Sequence, residues 1–307
     1  MSEIFASLDL PIDETYALQK QRIQNGTSNK RLCIVTGTHG DELEGQFVCF
    51  LMQQKLAELY DELDGIVDIY PCLNPLGMDS ITRSVPMFDV DMNRMFPGDK
   101  EGNFVEYMAS EIIDELCGAD LVVDIHASNI YLREIPQIRI NQLHRDWLVP
   151  MAKWCNVDYI WVHAASTVLE NTLAYSLNQR DTATLVIEMG VGMRLTYTYG
   201  IQITDGLLHA MHELGMLKSD TKVKEPIVSQ DGNVFFLNAP CAGVFVTFES
   251  VEHKVKKDQA LGYIVDPLEG ERKAIVKSPC DGLLFTLREY PLVSEGSLLG
   301  RILGVDL

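Results

Sequence analysis

Three features are missing from this sequence of 307 residues: a Cys-x-x-Cys pair, a long apolar run and an excess of basic residues. The seven cysteines are odd in number and scattered, at positions 33, 49, 72, 117, 155, 241 and 280. A disulfide framework or a thiolate zinc site is therefore not expected. We interpret the cysteines as small buried residues in a reduced cytoplasm.

The absence of a long apolar run argues against a membrane protein. No stretch approaches the roughly 20 residues that span a bilayer, and the N-terminus has neither a basic segment nor a long apolar one. The formal net charge of −19 would repel nucleic-acid phosphates and anionic lipid. We therefore expect a cytoplasmic protein that binds neither nucleic acid nor membranes.

Residues 31 to about 218 alternate short apolar strands with amphipathic helices, which predicts an α/β fold with a parallel or mixed sheet flanked by helices. The predicted strands are 32–35, 66–70, 121–125 and 184–187, and the predicted helices are 46–59, 104–116 and 206–217. The polar segment that ends at Pro226 stops the helical periodicity. The sequence thus predicts two domains, 1–225 and 226–307.

The C-terminal part contains an internal repeat. Residues 238–245 resemble residues 277–284 at an offset of 39, and residues 255–264 resemble residues 293–302 at an offset of 38. Two similar β units predict a β-rich barrel or sandwich and resemble the half-repeats of lipoyl and biotinyl domains. Those domains carry a modified lysine between their halves, where Lys273 lies, but no Met-Lys-Met triplet surrounds it, and a charged β-turn is the preferred interpretation.

His39 and Glu42 lie three residues apart where an apolar strand meets a helix. Imidazole and carboxylate are both zinc ligands, and a catalytic zinc site needs a third protein ligand and one open position. His126 is the third candidate, because it ends another apolar strand and ligands bind beyond the carboxyl ends of strands. For the pair alone, the alternative is a solvated helix start at which Glu42 favours the helix dipole.

Arg83, Asn93 and Arg94 lie between the two ligand segments and could bind an anion. Arg94 and its neighbour Asn93 suit a carboxylate, and Arg83 could stabilise an oxyanion or hold a second acidic group. The alternative is structural ion pairing, since Asp89 and Asp91 are near in sequence.

Glu188 ends the apolar segment 184–187. A partly desolvated carboxylate at a strand end has a raised pKa, which suits a general base that later acts as an acid. Taken alone, Glu188 could instead cap the next turn. Together with His39, Glu42 and His126 it completes the parts of a metal hydrolase.

The remaining histidines have weaker patterns. His209 and His212 are three apart on a predicted helix, but no third ligand is suggested, and a solvated helix face is preferred. His144, His163 and His253 have no patterned neighbours, and we interpret them as structural or surface residues.

In combination and in this order, the motifs resemble the succinylglutamate desuccinylase/aspartoacylase family, a branch of the metallocarboxypeptidase-like superfamily. The motifs are His-Gly-Asp-Glu, Asn-Pro, Arg, Asp-x-Asn-Arg-x-Phe, Asp-x-His and a later strand that ends in Glu, and they span residues 33–190. The resemblance implies a sheet like that of the zinc carboxypeptidases, followed by the β-rich domain that is typical of the family.

The resemblance also implies one zinc ion per chain and a set of site residues. The implied zinc ligands are His39, Glu42 and His126. Asn93 and Arg94 match the pair that holds the substrate carboxylate in this family. Arg83 matches the arginine that polarises the scissile carbonyl, and Glu188 matches the carboxylate that activates water.

Three further residues are candidates for a part in the pocket. The C-terminal domain of the family can lend a tyrosine to it, and Tyr290 is the counterpart in this sequence. Arg133 and Arg139 follow His126 closely and could shape the choice of substrate. The residues after His126 differ from those of aspartoacylases proper, which argues against N-acetylaspartate itself.

The predicted function is that of a zinc hydrolase that cleaves the amide of a small N-acyl amino acid, an anionic substrate. A metallocarboxypeptidase that acts on peptides is the nearest alternative, and a non-catalytic binding module that kept the fold is another. The oligomeric state is open, since an exposed strand edge or the C-terminal domain could pair subunits.

Overall fold

The structure is a computed structural model that describes residues 2–164 and 170–304. The strands up to residue 230 are β1 (Ser2–Leu10), β2 (Glu14–Asn25), β3 (Arg31–Thr36), β4 (Gly65–Tyr70), β5 (Leu121–Ala127), β6 (Leu132–Asn141), β7 (Tyr159–His163), β8 (Thr184–Gly190) and β9 (Ile227–Gln230). The helices are α1 (Glu44–Glu58), α2 (Pro75–Ser80), α3 (Phe104–Leu116), α4 (Arg145–Ala152), α5 (Leu173–Asn178) and α6 (Tyr197–Glu213). Within these ranges, every helix is too short or too polar to span a bilayer.

A large mixed sheet carries the fold, and its strand order runs β1-β2-β4-β3-β5-β8-β6, with β7 and β9 following β6. The pairs β3–β4, β3–β5, β5–β8 and β6–β7 are parallel, while β2–β4 and β6–β8 are antiparallel. Every residue of β5 is buried, as expected for a central strand that is covered on both faces. The predicted α/β class with a mixed sheet flanked by helices is confirmed.

Two hydrophobic cores lie on opposite faces of this sheet because side chains alternate along each strand. Ile34 of β3 belongs to the core that includes residues of α1 and α6. Its neighbour Val35 belongs to the core that includes residues of α3 and α5. The second face carries the cavity that is described below.

The helix at 104–116 has the predicted bounds, and a capping box between Asn103 and Glu106 begins it. The helix predicted at 206–217 is wrong in its bounds, because α6 begins nine residues earlier and ends at Glu213. Gly206 does not begin a helix but allows close packing inside one: a Cβ there would lie 2.1 Å from the carbonyl oxygen of Cys155.

The strands after residue 230 form two similar units. The first unit contains β10 (Val234–Asn238), β11 (Gly243–Thr247), β12 (Lys254–Val255) and β13 (Ala260–Asp266). The second contains β14 (Glu271–Lys277), β15 (Gly282–Arg288), β16 (Leu292–Val293) and β17 (Leu298–Gly304). Each unit lends its two-residue strand to the other, since β12 pairs with β15 and β16 pairs with β11. The predicted β-rich C-terminal part is therefore confirmed, and its relation to the half-repeats of lipoyl domains stays a prediction.

The C-terminal strands also extend the large sheet. β15 pairs with β6, and β17 pairs with β15, which brings β17 toward the cavity. The boundary near residue 225 stays a prediction. Lys273 lies on β14 beside Asp266 rather than in the turn before it.

Candidate active site

His39 and Glu42 lie in the loop between β3 and α1, as the sequence predicts. Two glycines let this loop approach its neighbours closely. Gly37 has a φ of +68°, and a Cβ on Gly40 would lie 1.9 Å from the carbonyl carbon of Gly77. A side chain at either position would therefore displace the loop that carries His39.

The three predicted metal ligands come together. Single ligand atoms of His39, Glu42 and His126 all lie within 4.8 Å of one another, and the three side chains are buried. The Nδ1 atom of His39 lies 2.9 Å from Oε1 of Glu42, and the Nδ1 atom of His126 lies 2.9 Å from Oε2 of Glu42. Within the described ranges, this is the single group of three such residues that could hold a metal ion.

A carboxylate fixes the other nitrogen of each imidazole. The Nε2 atom of His39 lies 3.0 Å from Oδ1 of Asp91, and the Nε2 atom of His126 lies 2.9 Å from Oδ2 of Asp124. Histidines that bind metals commonly hold a carboxylate in this way, which leaves the opposite nitrogen for the metal. The Nδ1 atoms of both histidines are therefore the atoms that this set could offer to a metal ion.

The electrostatics of the cluster fit a divalent cation. Burial lowers the pKa of the His39 and His126 imidazoles, but the carboxylates around them raise both pKa values above the usual range. Burial opposes ionisation of Glu42, yet the two imidazoles hold its pKa well below the usual range. The carboxylates of the cluster thus favour positive charge at the two imidazoles, and two nitrogens with one oxygen form a donor set that suits zinc.

Arg83 lies beside the metal ligands. Its Nη1 atom donates to Oε1 of Glu42 at 3.0 Å, and its Nη2 atom donates to Oδ2 of Asp91 at 3.1 Å. Ion pairing, one of the two alternatives for this arginine, is therefore present. The side chain is still 40% exposed and lines the cavity, so the guanidinium can also reach a ligand.

Asn93 and Arg94 are held by the same turn. The side chain of Asp91 accepts from the backbone N–H of Asn93 at 2.9 Å and begins a short 3-10 helix. The Oδ1 atom of Asn93 accepts from the backbone N–H of Leu173 at 3.0 Å, so Nδ2 is the donor that Asn93 can offer a ligand. Arg94 forms no ion pair with any residue that the structure describes, and one of its nitrogens donates to the carbonyl of Asn93 at 2.7 Å.

Glu188 of β8 lies next to the predicted metal ligands, because it is paired in register with His126 of the neighbouring strand β5. Burial raises the pKa of its carboxyl, which is the direction that the strand-end position predicts, while Arg139 opposes the increase. The Nη1 atom of Arg139 lies 3.3 Å from Oε1 of Glu188. A carboxylate with a raised pKa beside a metal site suits the exchange of protons with a substrate.

A line of alternating charges connects Glu188 to the C-terminal strands. Arg139 also donates to Oε2 of Glu134 at 2.6 Å, and Arg301 of β17 donates to Oε1 of Glu134 at 2.6 Å. The side chain of Glu134 is completely buried. One buried carboxylate therefore compensates the charges of two guanidinium groups, one of which holds Glu188.

We expect the substitution Glu134→Gln to destabilise the protein by about 3 kcal/mol or more, because it leaves two partly buried guanidinium groups without their shared carboxylate. The measurement is urea unfolding followed by circular dichroism. Glu289→Gln is the matched control: Glu289 pairs with Arg133 on the exposed surface, and its loss should cost less than about 1 kcal/mol. Equal losses in the two variants would show that the Glu134 network does not stabilise the fold.

The site borders one cavity of about 590 Å³. The predicted residues on its wall are His39, Glu42, Arg83, Asn93, Arg94, His126, Arg139 and Glu188. The other two candidates lie elsewhere: Arg133 contacts Glu289 and Thr196, and Tyr290 packs edge-on against the ring of Tyr131.

Several wall residues were not predicted. His144 and His163, which the sequence analysis interprets as structural or surface residues, line the cavity, whereas His253 is exposed beside Glu249. Trp161, Phe236 and Arg301 also line it. His209 pairs with Asp220, and His212 contacts the carbonyl of Leu217.

The sequence matches one known catalytic domain. Residues 28–213 match the model of the succinylglutamate desuccinylase/aspartoacylase catalytic domain. Over 101 residues, which are 33% of this chain, the sequence is 33% identical to N-alpha-acetyl-L-2,4-diaminobutyric acid deacetylase from Halomonas elongata. That match spans 29% of the length of the relative.

Solved structures share the fold over almost the whole chain. The product-bound ectoine utilization protein EutE (DoeB) from Ruegeria pomeroyi is 21% identical, with a TM-score of 0.82 over 98% of this chain and 94% of that chain. A succinylglutamate desuccinylase from Silicibacter sp. TM1040 is 20% identical, with a TM-score of 0.84 over 99% of this chain and 95% of that chain. At these identities the structures establish a common fold.

Proposed function

The chain belongs to the succinylglutamate desuccinylase/aspartoacylase family, and we propose that it is a zinc-dependent amide hydrolase that releases the acyl group of a small N-acyl amino acid. The zinc site would contain one ion per chain. Its ligands would be His39, Glu42 and His126.

This proposal rests on one observation: a cluster of three possible metal ligands, an arginine and a carboxylate of raised pKa border the same cavity. His39, Glu42 and His126 form the cluster, Glu188 is the carboxylate, and the arginine is Arg94, which forms no ion pair with the described residues. These are the parts that hydrolysis of an amide near a carboxylate requires.

Each residue of the site has a separate role in the proposed reaction. Zinc bound at this site would supply a Lewis acid and a water of lowered pKa. Glu188 takes a proton from the attacking water and returns it to the amine nitrogen as the C–N bond breaks, while the oxygen of water ends on the acyl carbon. Arg83 stabilises negative charge on the carbonyl oxygen, and Asn93 and Arg94 hold the carboxylate of the substrate.

The shape of the cavity favours a small substrate over a peptide. Phe236 and Arg301, which follow the predicted domain boundary, form part of its wall. A wall made by the C-terminal strands favours an enclosed N-acyl amino acid, whereas a peptide would need an open groove. The relative from Halomonas elongata is named for the removal of an acetyl group, and we propose acetyl as the first acyl group to test. The cysteines are free thiols, and we place the reaction in the cytoplasm.

The test is a hydrolysis screen on zinc-loaded protein. N-acetyl, N-succinyl and N-formyl amino acids are compared with short peptides, and the release of free amine is measured. We expect turnover of N-acyl amino acids and none of peptides. Turnover of peptides alone would replace the deacylase by a metallocarboxypeptidase, and turnover of neither in protein that has bound zinc would argue against both.

A further inference from the structure

The cavity extends away from the metal ligands along β8. Thr184, Val186 and Glu188 are alternate residues of that strand, so their side chains share one face, and all three line the cavity. Four residues of a strand span roughly 13 Å. The far end of the cavity therefore lies well beyond the atoms that would react.

This extension, which we call the side arm, has walls from two helices and β8. Its lining residues are Leu148 of α4, Ala174, Tyr175 and Asn178 of α5, and Thr184 and Val186 of β8. His144 lies at its edge, with its ring 6.4 Å from that of Tyr175. The total cavity of about 590 Å³ falls in the range of pockets that enclose drug-sized ligands, which exceeds the need of an N-acetyl amino acid with a short side chain.

Among the residues that the structure describes, the six that line the side arm carry no charge. None of them is acidic or basic, and burial lowers the pKa of His144, which disfavours a positive charge on this imidazole. Asn178 is occupied within the fold: Nδ2 donates to the carbonyl of Thr184 at 3.1 Å, and Oδ1 accepts from the N–H of Thr184 at 2.8 Å. Two charged residues that also line the cavity lie beside Val186, Asp124 on β5 and Arg139 on β6. Both have partners: Asp124 contacts Nε2 of His126, and Arg139 is shared between Glu134 and Glu188.

A charged side chain in this arm would lose its hydration, while the charged groups nearest to it, Asp124 and Arg139, already have partners. Such a loss of hydration is unfavourable unless a new ion pair compensates it. An aromatic or branched apolar side chain would instead contact Leu148, Val186 and the ring of Tyr175, and its burial would be favourable.

The arm begins beside the residues that would hold the carboxylate of the substrate. Leu173, which donates to the side chain of Asn93, is the first residue of α5 and is followed directly by Ala174 and Tyr175. In an amino acid, the carboxylate and the side chain are attached to the same carbon. A carboxylate held by Asn93 and Arg94 therefore places the side chain at the entrance of the arm.

We propose that the amino-acid part of the substrate has a bulky uncharged side chain, aromatic or branched apolar, and that the side arm binds it. This inference rests on the proposed deacylase function and specifies its substrate class. It excludes acidic and basic amino acids as the preferred substrates of this chain.

The experiment compares kcat/KM for the N-acetyl derivatives of phenylalanine, leucine, alanine, aspartate and lysine on zinc-loaded protein. We expect phenylalanine or leucine to exceed aspartate and lysine by about 100-fold. A higher kcat/KM for N-acetylaspartate or N-acetyllysine would overturn the inference and leave the deacylase function intact. If no derivative is hydrolysed, the proposed function fails, and calorimetric binding of free phenylalanine against free aspartate still decides the inference, which requires tighter binding of phenylalanine.

Variants locate the preference in the side arm. Ala174→Leu narrows the arm, and we expect it to lower the ratio of kcat/KM for N-acetylphenylalanine to that for N-acetylalanine about tenfold or more. Tyr175→Ala removes part of the wall from a half-buried position, so it tests the arm even if the first variant fails to fold. Tyr197→Ala, at an exposed position of α6, is the control and should leave the ratio unchanged. An unchanged ratio in both arm variants would overturn the inference.

Discussion

The substitution Glu188→Gln is expected to lower kcat by about 10²–10⁴-fold while the bound metal stays at one ion per chain. Glutamine keeps the size of the side chain but cannot take a proton from water. Because Glu188 is not one of the three ligands, its charge is not needed to hold zinc. The measurement combines steady-state kinetics on the best substrate of the screen with metal analysis of the same preparation.

A control separates this effect from a general loss of negative charge. Glu289→Gln removes a carboxylate that pairs with Arg133 outside the cavity wall, and it should retain the parent kcat. If Glu188→Gln retains full turnover with normal zinc content, Glu188 is not the residue that exchanges the proton. If it loses zinc instead, its carboxylate belongs to the metal site.

Much of the α/β part could be predicted from periodicity, because apolar side chains form its buried faces. The strand at 121–125 and the helix at 104–116 show the clearest patterns, and both occur in the structure. β2 gives no such signal, although it lies inside the sheet between β1 and β4. Its side chains Lys20 and Arg22 form ion pairs, at 2.6 Å with Glu115 and at 2.7 Å with Asp68. A buried face built from ion pairs has no hydrophobic period to detect.

The start of α6 was missed for a different reason. The backbone N–H and the hydroxyl of Thr196 both donate to the buried carboxylate of Glu44, each at 2.8 Å. Glu44 lies 152 residues away in the sequence. A helix start that is fixed by a distant carboxylate leaves no local capping signal, and a glycine inside the helix then resembles a boundary.

Some residues of the candidate site could likewise be predicted from the sequence, and others could not. His39, Glu42, His126 and Glu188 sit at strand ends, and the topology of a parallel sheet brings strand ends together. Asp124 could also have been found, since residues two apart on a strand share a face and Asp124 precedes His126 by two. Arg301 could not, because only the pairing of β17 with β15 and of β15 with β6 brings it to the cavity.

Removal of the metal is expected to abolish turnover, and stoichiometric zinc should restore it. The three ligands are buried around one point, so a chelator that extracts the ion leaves the fold intact but without its Lewis acid.

His126→Ala should bind less than one zinc per chain and lose activity with it. Metal analysis and kinetics on the same samples are the measurements. The control is His209→Ala, because His209 pairs with Asp220 away from the cavity, and this variant should keep one zinc and full activity.

A substitution of Asp124, the carboxylate that contacts His126, gives a second test of the metal site. Asp124→Asn should weaken zinc binding about 10–100-fold, a smaller effect than the loss of a ligand, because Asp124 only orients Nε2 of His126. If the metal is held through Nδ1 of His126, the affinity for zinc should be highest in the parent protein, lower in Asp124→Asn and lowest in His126→Ala. Full zinc content in His126→Ala would place the ion elsewhere, and activity that survives complete removal of zinc would show that the family chemistry is not used by this chain.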